Sequence, residues 1–400
     1  MFSTLLYLFF ADIDFMKNIL LFGALFNGFR VLTGAFGLVY MLEKGLTITE
    51  IGILKSVQAG IILFSDIPIS YLADRYGKKP SLIMAALFAS CWLFCMWIGS
   101  SFYGFLLAEI FNALSLVLIS GAYKAFLINS ASFSKVSVGK ALAQSNKYNY
   151  YGMFAFSLAG ALWADFFGDS VWLLSFGCMI FTMLFGMYYL IEPKAPNVAT
   201  KSEPSLLSLN SRKIKGYISD SLIFVIVYVL SITLFDIIIQ YWQVFFSTYG
   251  IEAYKFELAL TFSAVLLSQA FSGVVFEKIN SYLAVIVSLT VIIFLLLILN
   301  FTVVSKWLVI FSTCLLFFSV RLAILSVESV LHERISGELR STYDSFLSTF
   351  SRLLLLFGYP VAGWLISFYG MNFIVCFVII VMIMAIISFR LFYRNPEALS

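Results

Sequence analysis

Several charged and amide side chains of this 400-residue chain stand inside long apolar runs, spaced as neighbours on one helix face. Asn27 and Arg30 lie three apart in the run 18–42. Glu109 and Asn112 repeat that spacing in 102–128, followed by Lys124. Thr233, Asp236, Gln240 and Gln243 form a polar stripe through 220–247. Arg321 and Glu328 are seven apart in 307–332, which on a helix is one face and roughly 10 Å along the axis. An ionisable group within hydrocarbon costs at least about 2–3 kcal/mol, so each needs a partner or a task. Solvating a polar solute on its way through a bilayer is one such task. Asn27, Arg30, Asn112, Lys124, Asp236, Gln240, Gln243, Arg321 and Glu328 are therefore candidate substrate-binding residues. Asp66, Glu109, Asp236 and Glu328 are the acids that could exchange a proton as their surroundings change. Buried structural ion pairs are the competing reading for Arg30, Asp236, Arg321 and Glu328, and Lys124 could instead snorkel to a surface. Lys55 and Asp66, like Asp344 and Arg352, suit pairing between helices or gating.

Other chemistries find no support. The chain shows no histidine-rich metal cluster, no nucleophile elbow and no Gly-x-x-x-x-Gly-Lys-Ser/Thr loop, so neither an enzyme nor a nucleotide-driven pump is expected. No cofactor and no metal are implied. The only histidine, His332, falls at a predicted helix end. Five cysteines (Cys91, Cys95, Cys178, Cys314 and Cys376) lie in apolar runs as small hydrophobes.

Elements that could hold such groups follow from hydropathy. With 62% hydrophobic and 12% charged residues and a mean hydropathy of +1.00, the chain cannot furnish a polar skin for a protein of this size. Runs such as Val285–Val304 are dominantly apolar rather than alternating, which selects helices over barrel strands. Spans are expected near 18–42, 50–72, 81–99, 102–128, 139–166 and 170–191. A second set is expected near 220–247, 254–276, 283–304, 307–332, 340–368 and 371–393. The organisation read from this is a segment 1–17, a six-helix bundle 18–191, a polar linker 192–219, a second bundle 220–393 and a tail 394–400. Met1–Phe10 lacks the basic start and cleavage pattern of a signal peptide, and either Met1 or Met16 could begin the protein.

Lysine and arginine orient the spans. Lys17, Arg75, Lys78, Lys79, Lys135, Lys140, the linker cations, Lys278, Arg334, Arg340, Arg390 and Arg394 fall on one side, against Lys44, Lys255 and Lys306 on the other. The positive-inside rule then places both termini and the linker in the cytoplasm. The net charge of +4 is thus spent on topology, and no nucleic-acid partner is expected.

The two sets of spans repeat. Ser157-Leu-Ala-Gly160 recurs as Pro360-Val-Ala-Gly363, 203 residues later. At the same offset Ser70-Tyr-Leu-Ala-Asp74-Arg75-Tyr-Gly77-Lys78-Lys79 recurs as Gly273-Val-Val-Phe-Glu277-Lys278-Ile-Asn280. Both read small residue, three spacers, acid, base, spacer, turn residue. An acid at a helix end can bond a neighbouring helix N-terminus or a basic side chain there, forming a clasp that closes in one conformation and opens in another.

Ser70–Lys79 resembles the signature loop of the major facilitator superfamily, Gly-x-x-x-Asp-Arg-x-Gly-Arg/Lys-Arg/Lys, departing only at Ser70. Asp66-Ile-Pro68, Gly45–Gly52 and Glu333–Ser341 are similar to one branch of that superfamily. The resemblance implies an all-α polytopic membrane protein of twelve transmembrane helices in two pseudo-symmetric six-helix bundles. It further implies a central cavity lined by helices 1, 4, 7 and 10, opened alternately to each side. Ser70, Asp74, Arg75, Gly77, Lys78, Lys79, Gly273, Glu277 and Lys278 would form the gating loops. These four helices are the ones already singled out by their buried charges.

The expected activity is secondary active transport of a small organic solute by alternating access, with protons as coupling ion. A monomer in a bacterial cytoplasmic membrane is the expected setting. The cations Arg30, Lys124 and Arg321 outweigh the deep acids, which favours a carboxylate-bearing or amphiphilic solute. An exporter of drugs, siderophores or metabolites is the alternative. Its drug–proton antiporter form is disfavoured because Leu118 stands where drug antiporters of the superfamily carry an Arg three residues before Gly121, and no Pro accompanies Gly152 or Gly160. A transport-inactive receptor or scaffold on the same fold would predict a degraded loop, whereas Asp74–Lys79 is intact.

Overall fold

A computed structural model describes residues 15–192 except 135 and 137, most of 229–244, and 256–394 except 277, 280, 302–304 and 335–339. The remaining parts of the expected 1–17 segment, the linker and the tail, together with Glu277, lie outside the described residues, as do the side chains of Ser70, Asp74, His332 and Asp344. Among the described residues there is no strand.

The helices are α1 (Phe15–Val31), α2 (Gly37–Glu43), α3 (Ile48–Tyr76), α4 (Lys78–Ile98), α5 (Phe102–Phe133), α6 (Val138–Phe167) and α7 (Ser170–Tyr189). After the linker come helical residues within 229–244. They are followed by α8 (Phe256–Phe276), α9 (Ser281–Phe301), α10 (Lys306–Arg334), α11 (Arg340–Tyr369) and α12 (Met371–Arg394). Among the described residues these elements correspond to the twelve expected spans, with α1 and α2 together making the first. The architecture is all-α and polytopic.

Six of the described segments are each long and apolar enough to cross a bilayer unaided, among them Lys78–Ile98, Phe102–Ser132 and Lys306–Ser329. The helices that fall short include α1, with Lys17, Asn18, Asn27 and Arg30, and α6, whose first half carries Lys140, Gln144, Asn146, Lys147 and Asn149. Outward faces confirm the solvent: Phe166, Phe368 and Phe311 are 76%, 70% and 64% exposed. Such aromatic surface would be costly in water and is at home in lipid.

The chain forms two compact units: Met1–Ala35 with Phe64–Pro196, and Phe36–Leu63 with Asn197–Ser400. Segment 36–63 therefore groups with the second half of the chain rather than with the bundle 18–191 to which hydropathy assigns it. Its contacts explain why. Ser56 Oγ donates to Leu356 O, Thr49 and Ser367 share a hydroxyl–hydroxyl bond of 3.2 Å, and Gly52 packs on Tyr359 and Pro360 of α11. Gly52, Ser56 and Gly60 recur every four residues, so one small-residue face of α3 lies flush on α11.

In the first unit α4 packs against α5 and α7, and α1 against α6, α7 and α5. The α1–α6 approach is close because glycine permits it. A Cβ at Gly160 would fall 2.1 Å from Leu32 O, and one at Gly152 would fall 2.7 Å from Ala24 O. Gly363, the repeat mate of Gly160, does the same work in the second unit, where a Cβ would meet Ile48 O at 2.8 Å and Tyr241 Oη at 3.0 Å. Within that unit α10 packs against α8 and α9, and α12 against α9 and α11.

Candidate functional site

Arg30, Asn112 and Glu109, singled out on two separate runs, converge inside the first unit. Arg30 is the penultimate residue of α1 and reaches α5, where Arg30 Nη2 donates to Asn112 Oδ1 at 2.5 Å. Asn112 Nδ2 in turn donates to Glu109 Oε2 at 3.0 Å. The i, i+3 spacing on α5 makes the second bond possible, and both side chains are almost wholly buried, at 1% and 3% exposure. The guanidinium lies 4.6 Å over the ring of Trp92 on α4 and 5.7 Å from that of Phe26. A neutral amide thus separates cation from carboxylate, and two aromatic faces flank the cation. Hydrogen bonds to charged groups contribute about 1.5–3 kcal/mol each, and a desolvated cation–π contact about 2 kcal/mol.

A second charged pair belongs to the second unit. Asp236 on the 229–244 helix lies within electrostatic reach of Arg352 on α11. The same two elements are joined by Tyr241 Oη donating to Tyr359 O at 2.9 Å. From sequence, Arg352 suits pairing between helices or gating.

The remaining candidates are placed differently. Asn27 Nδ2 bonds Gly23 O one turn back on its own helix, at 3.0 Å. Gln243 Oε1 accepts from the backbone N–H groups of Leu38 and Val39, at 3.0 and 3.3 Å. This is a cap supplied from another element: α1 ends at Val31, the chain turns, and α2 begins after Phe36, whose side chain has no acceptor to offer. Lys124 and Asp66 are exposed, while Gln240, Arg321 and Glu328 are half-buried. Arg321 makes no hydrogen bond or ion pair with another described residue.

The signature loop turns at Gly77, whose φ of 101° is in the region glycine favours. Its helix partner is Glu192, just beyond α7. Glu192 Oε1 accepts from Lys78 N at 2.8 Å and Oε2 from Lys79 N at 3.0 Å, while Lys79 Nζ donates to Met187 O at 2.8 Å. A carboxylate therefore caps the first turn of α4, where unpaired N–H groups and the helix dipole both favour negative charge. A side chain at Gly77 would press on Glu192 Oε2 at 3.0 Å. Glu192 escaped the sequence reading because it looked like the first residue of the linker; its signal was an acid directly after a span that ends beside a basic loop. Glu192→Ala is expected to destabilise the first unit by about 1 kcal/mol, with Glu192→Gln intermediate, as read by thermal unfolding of purified protein. An unchanged midpoint for Glu192→Ala would refute the cap.

Long apolar helices in two units and a small-residue repeat define a multi-pass membrane protein. Residues 19–330 match the family model described as Major Facilitator Superfamily. The chain belongs to that superfamily. An uncharacterized MFS-type transporter of Bacillus subtilis (strain 168), YxaM, is 26% identical over 266 residues, covering 62% of this chain. The chain spans 63% of the length of that relative. Among solved structures, the nucleoside transporter NupG superposes with a TM-score of 0.77 at 12% identity, over 96% of this chain and 100% of its own. The POT family transporter PepTSo superposes with a TM-score of 0.71 at 14% identity, over 96% and 98%. At these identities the likeness is one of fold.

Proposed function

We propose that the protein is a secondary active transporter that couples proton movement to the passage of a small carboxylate-bearing solute. The observation that carries this reading is the Arg30–Asn112–Glu109 chain. It buries a guanidinium and links it to a carboxylate through an amide, Asn112 accepting from Arg30 and donating to Glu109. A cation left so is ready for an anionic group of the solute, and Asn112 transmits any change in its charge balance to Glu109. Arg321, half-buried on α10, adds positive charge in the second unit. Asp236, Asp66 and Glu328 are further sites for the coupling proton, and Gln240 and Lys124 further solute contacts. Ser70–Lys79 and Gly273–Lys278 serve as gates, and Glu192 holds the first of them to α7. The excess of lysine and arginine in alternate loops supports a cytoplasmic membrane location with both termini inside, and the protein acts as a monomer.

Uptake into proteoliposomes tests this with a panel of radiolabelled mono- and dicarboxylates, with and without an imposed pH gradient and an uncoupler. Accumulation should follow the gradient and collapse with the uncoupler. Arg30→Gln and Arg321→Gln should each lower uptake at least about tenfold, the scale of one lost charge-assisted hydrogen bond. Glu109→Gln should retain downhill exchange but lose its response to the gradient. Full transport by both arginine variants would sink the carboxylate assignment.

A further inference from the structure

The Arg30 guanidinium has more donors than the first unit has acceptors. Nη2 is taken by Asn112, but Nη1 is buried without a hydrogen-bond partner. Trp92, whose ring lies under that guanidinium, has its Nε1 buried and unpartnered as well. Trp172 meets Trp92 edge to face at 6.3 Å and holds that indole in place. A buried donor left unmade keeps its full desolvation cost, and folded proteins retain few of them. Two of these buried donors, on Arg30 and on Trp92, belong to residues that share this one cation–π contact.

The chemistry of an occupant follows. Arg30 and Trp92 here present only donors, one of them charged, between the flat faces of Phe26 and Trp92. The nearby negative charge, on Glu109, is turned toward Asn112. A group with two acceptor oxygens and no hydrogens of its own matches these donors chemically; an amide would bring N–H against N–H. We propose that Arg30 Nη1 and Trp92 Nε1 together form the subsite for the carboxylate of the transported solute, with Trp92 selecting carboxylate over amide. This rests on the carboxylate reading above and adds a residue to it. Arg30 supplies charge, and Trp92 supplies a directed neutral donor on a ring held by stacking.

Trp92→Phe isolates that role, because the ring and its stack under Arg30 remain while the donor is removed. Purified full-length protein would be titrated with acetate, butyrate and benzoate, each against its amide, by calorimetry and thermal shift. Wild type should prefer each carboxylate, and Trp92→Phe should lose about tenfold of that preference with little change in ligand-free stability. In parallel, the ¹⁵N–¹H indole resonance of Trp92 in wild type should move with the carboxylates and stay in place with the amides; this measurement needs no variant to fold. A wild-type preference left intact in Trp92→Phe, or an indole resonance that ignores bound carboxylate, would overturn the subsite and spare the transporter reading. Wild type that does not distinguish any carboxylate from its amide would instead overturn the carboxylate reading, and the subsite with it.

Discussion

Gly160→Ala is expected to cost the first unit at least about 3 kcal/mol, enough to abolish monodisperse protein on purification. The added Cβ would stand 2.1 Å from Leu32 O and 2.8 Å from both Leu32 C and Leu32 Cα. Those are backbone atoms of the segment leaving α1, so no rotamer change relieves the clash, and α1 and α6 would have to move apart. Separation would also loosen the contacts that Gly28 makes with Phe156 and Gly152 makes with Ala24. Gly23→Ala is the informative contrast. Its Cβ would also come within 2.1 Å of an atom, but that atom is Tyr123 Oη, the far end of a side chain. The tyrosine can swing away at the expense of its 2.9 Å bond to Ser145 Oγ, for a cost of about 1 kcal/mol. Equal losses for the two variants, measured by thermal unfolding in detergent, would show that the α1–α6 approach is not the constraint.

Removing the Arg30 charge should be the most damaging change outside backbone packing. Arg30→Met leaves Glu109, 1% exposed, without its cation, and breaking one member of a buried charged pair costs about 3–5 kcal/mol. Glu109→Gln should be destabilising for the converse reason. The double variant Arg30→Met with Glu109→Gln buries no unbalanced charge and should lie at least about 2 kcal/mol above the sum of the single losses. Its transport should stay absent, because the group that meets the solute is gone. Additive losses would mean that the Arg30–Asn112–Glu109 chain is not a coupled unit. Recovered transport in the double variant would mean that Arg30 serves stability alone.

The polar side chains were legible one helix at a time. Glu109 and Asn112 announce a shared face by their spacing, and Arg30 is conspicuous because a cation in an apolar run is costly wherever it points. That Arg30 would cross to Asn112, 82 positions away, has no trace in local pattern. Nor has the task of Gln243, which looks like one of four polar residues in a stripe until α2 is found to begin without a capping side chain. Trp92 gave no signal at all, since an indole in an apolar run is indistinguishable by pattern from core filling.

Hydropathy, lysine and arginine placement, and the 203-residue repeat determined the spans, the loops and the membership in a two-halved transporter family. They could do so because crossing a bilayer is a requirement each helix must meet within its own residues. Tertiary structure alone decided which charges meet, that Glu192 caps α4, that segment 36–63 packs with α11, and that donors on Arg30 and Trp92 lack acceptors. Those outcomes depend on the rotation and approach of helices far apart in the chain, which glycines such as Gly160 permit and which hydropathy does not encode.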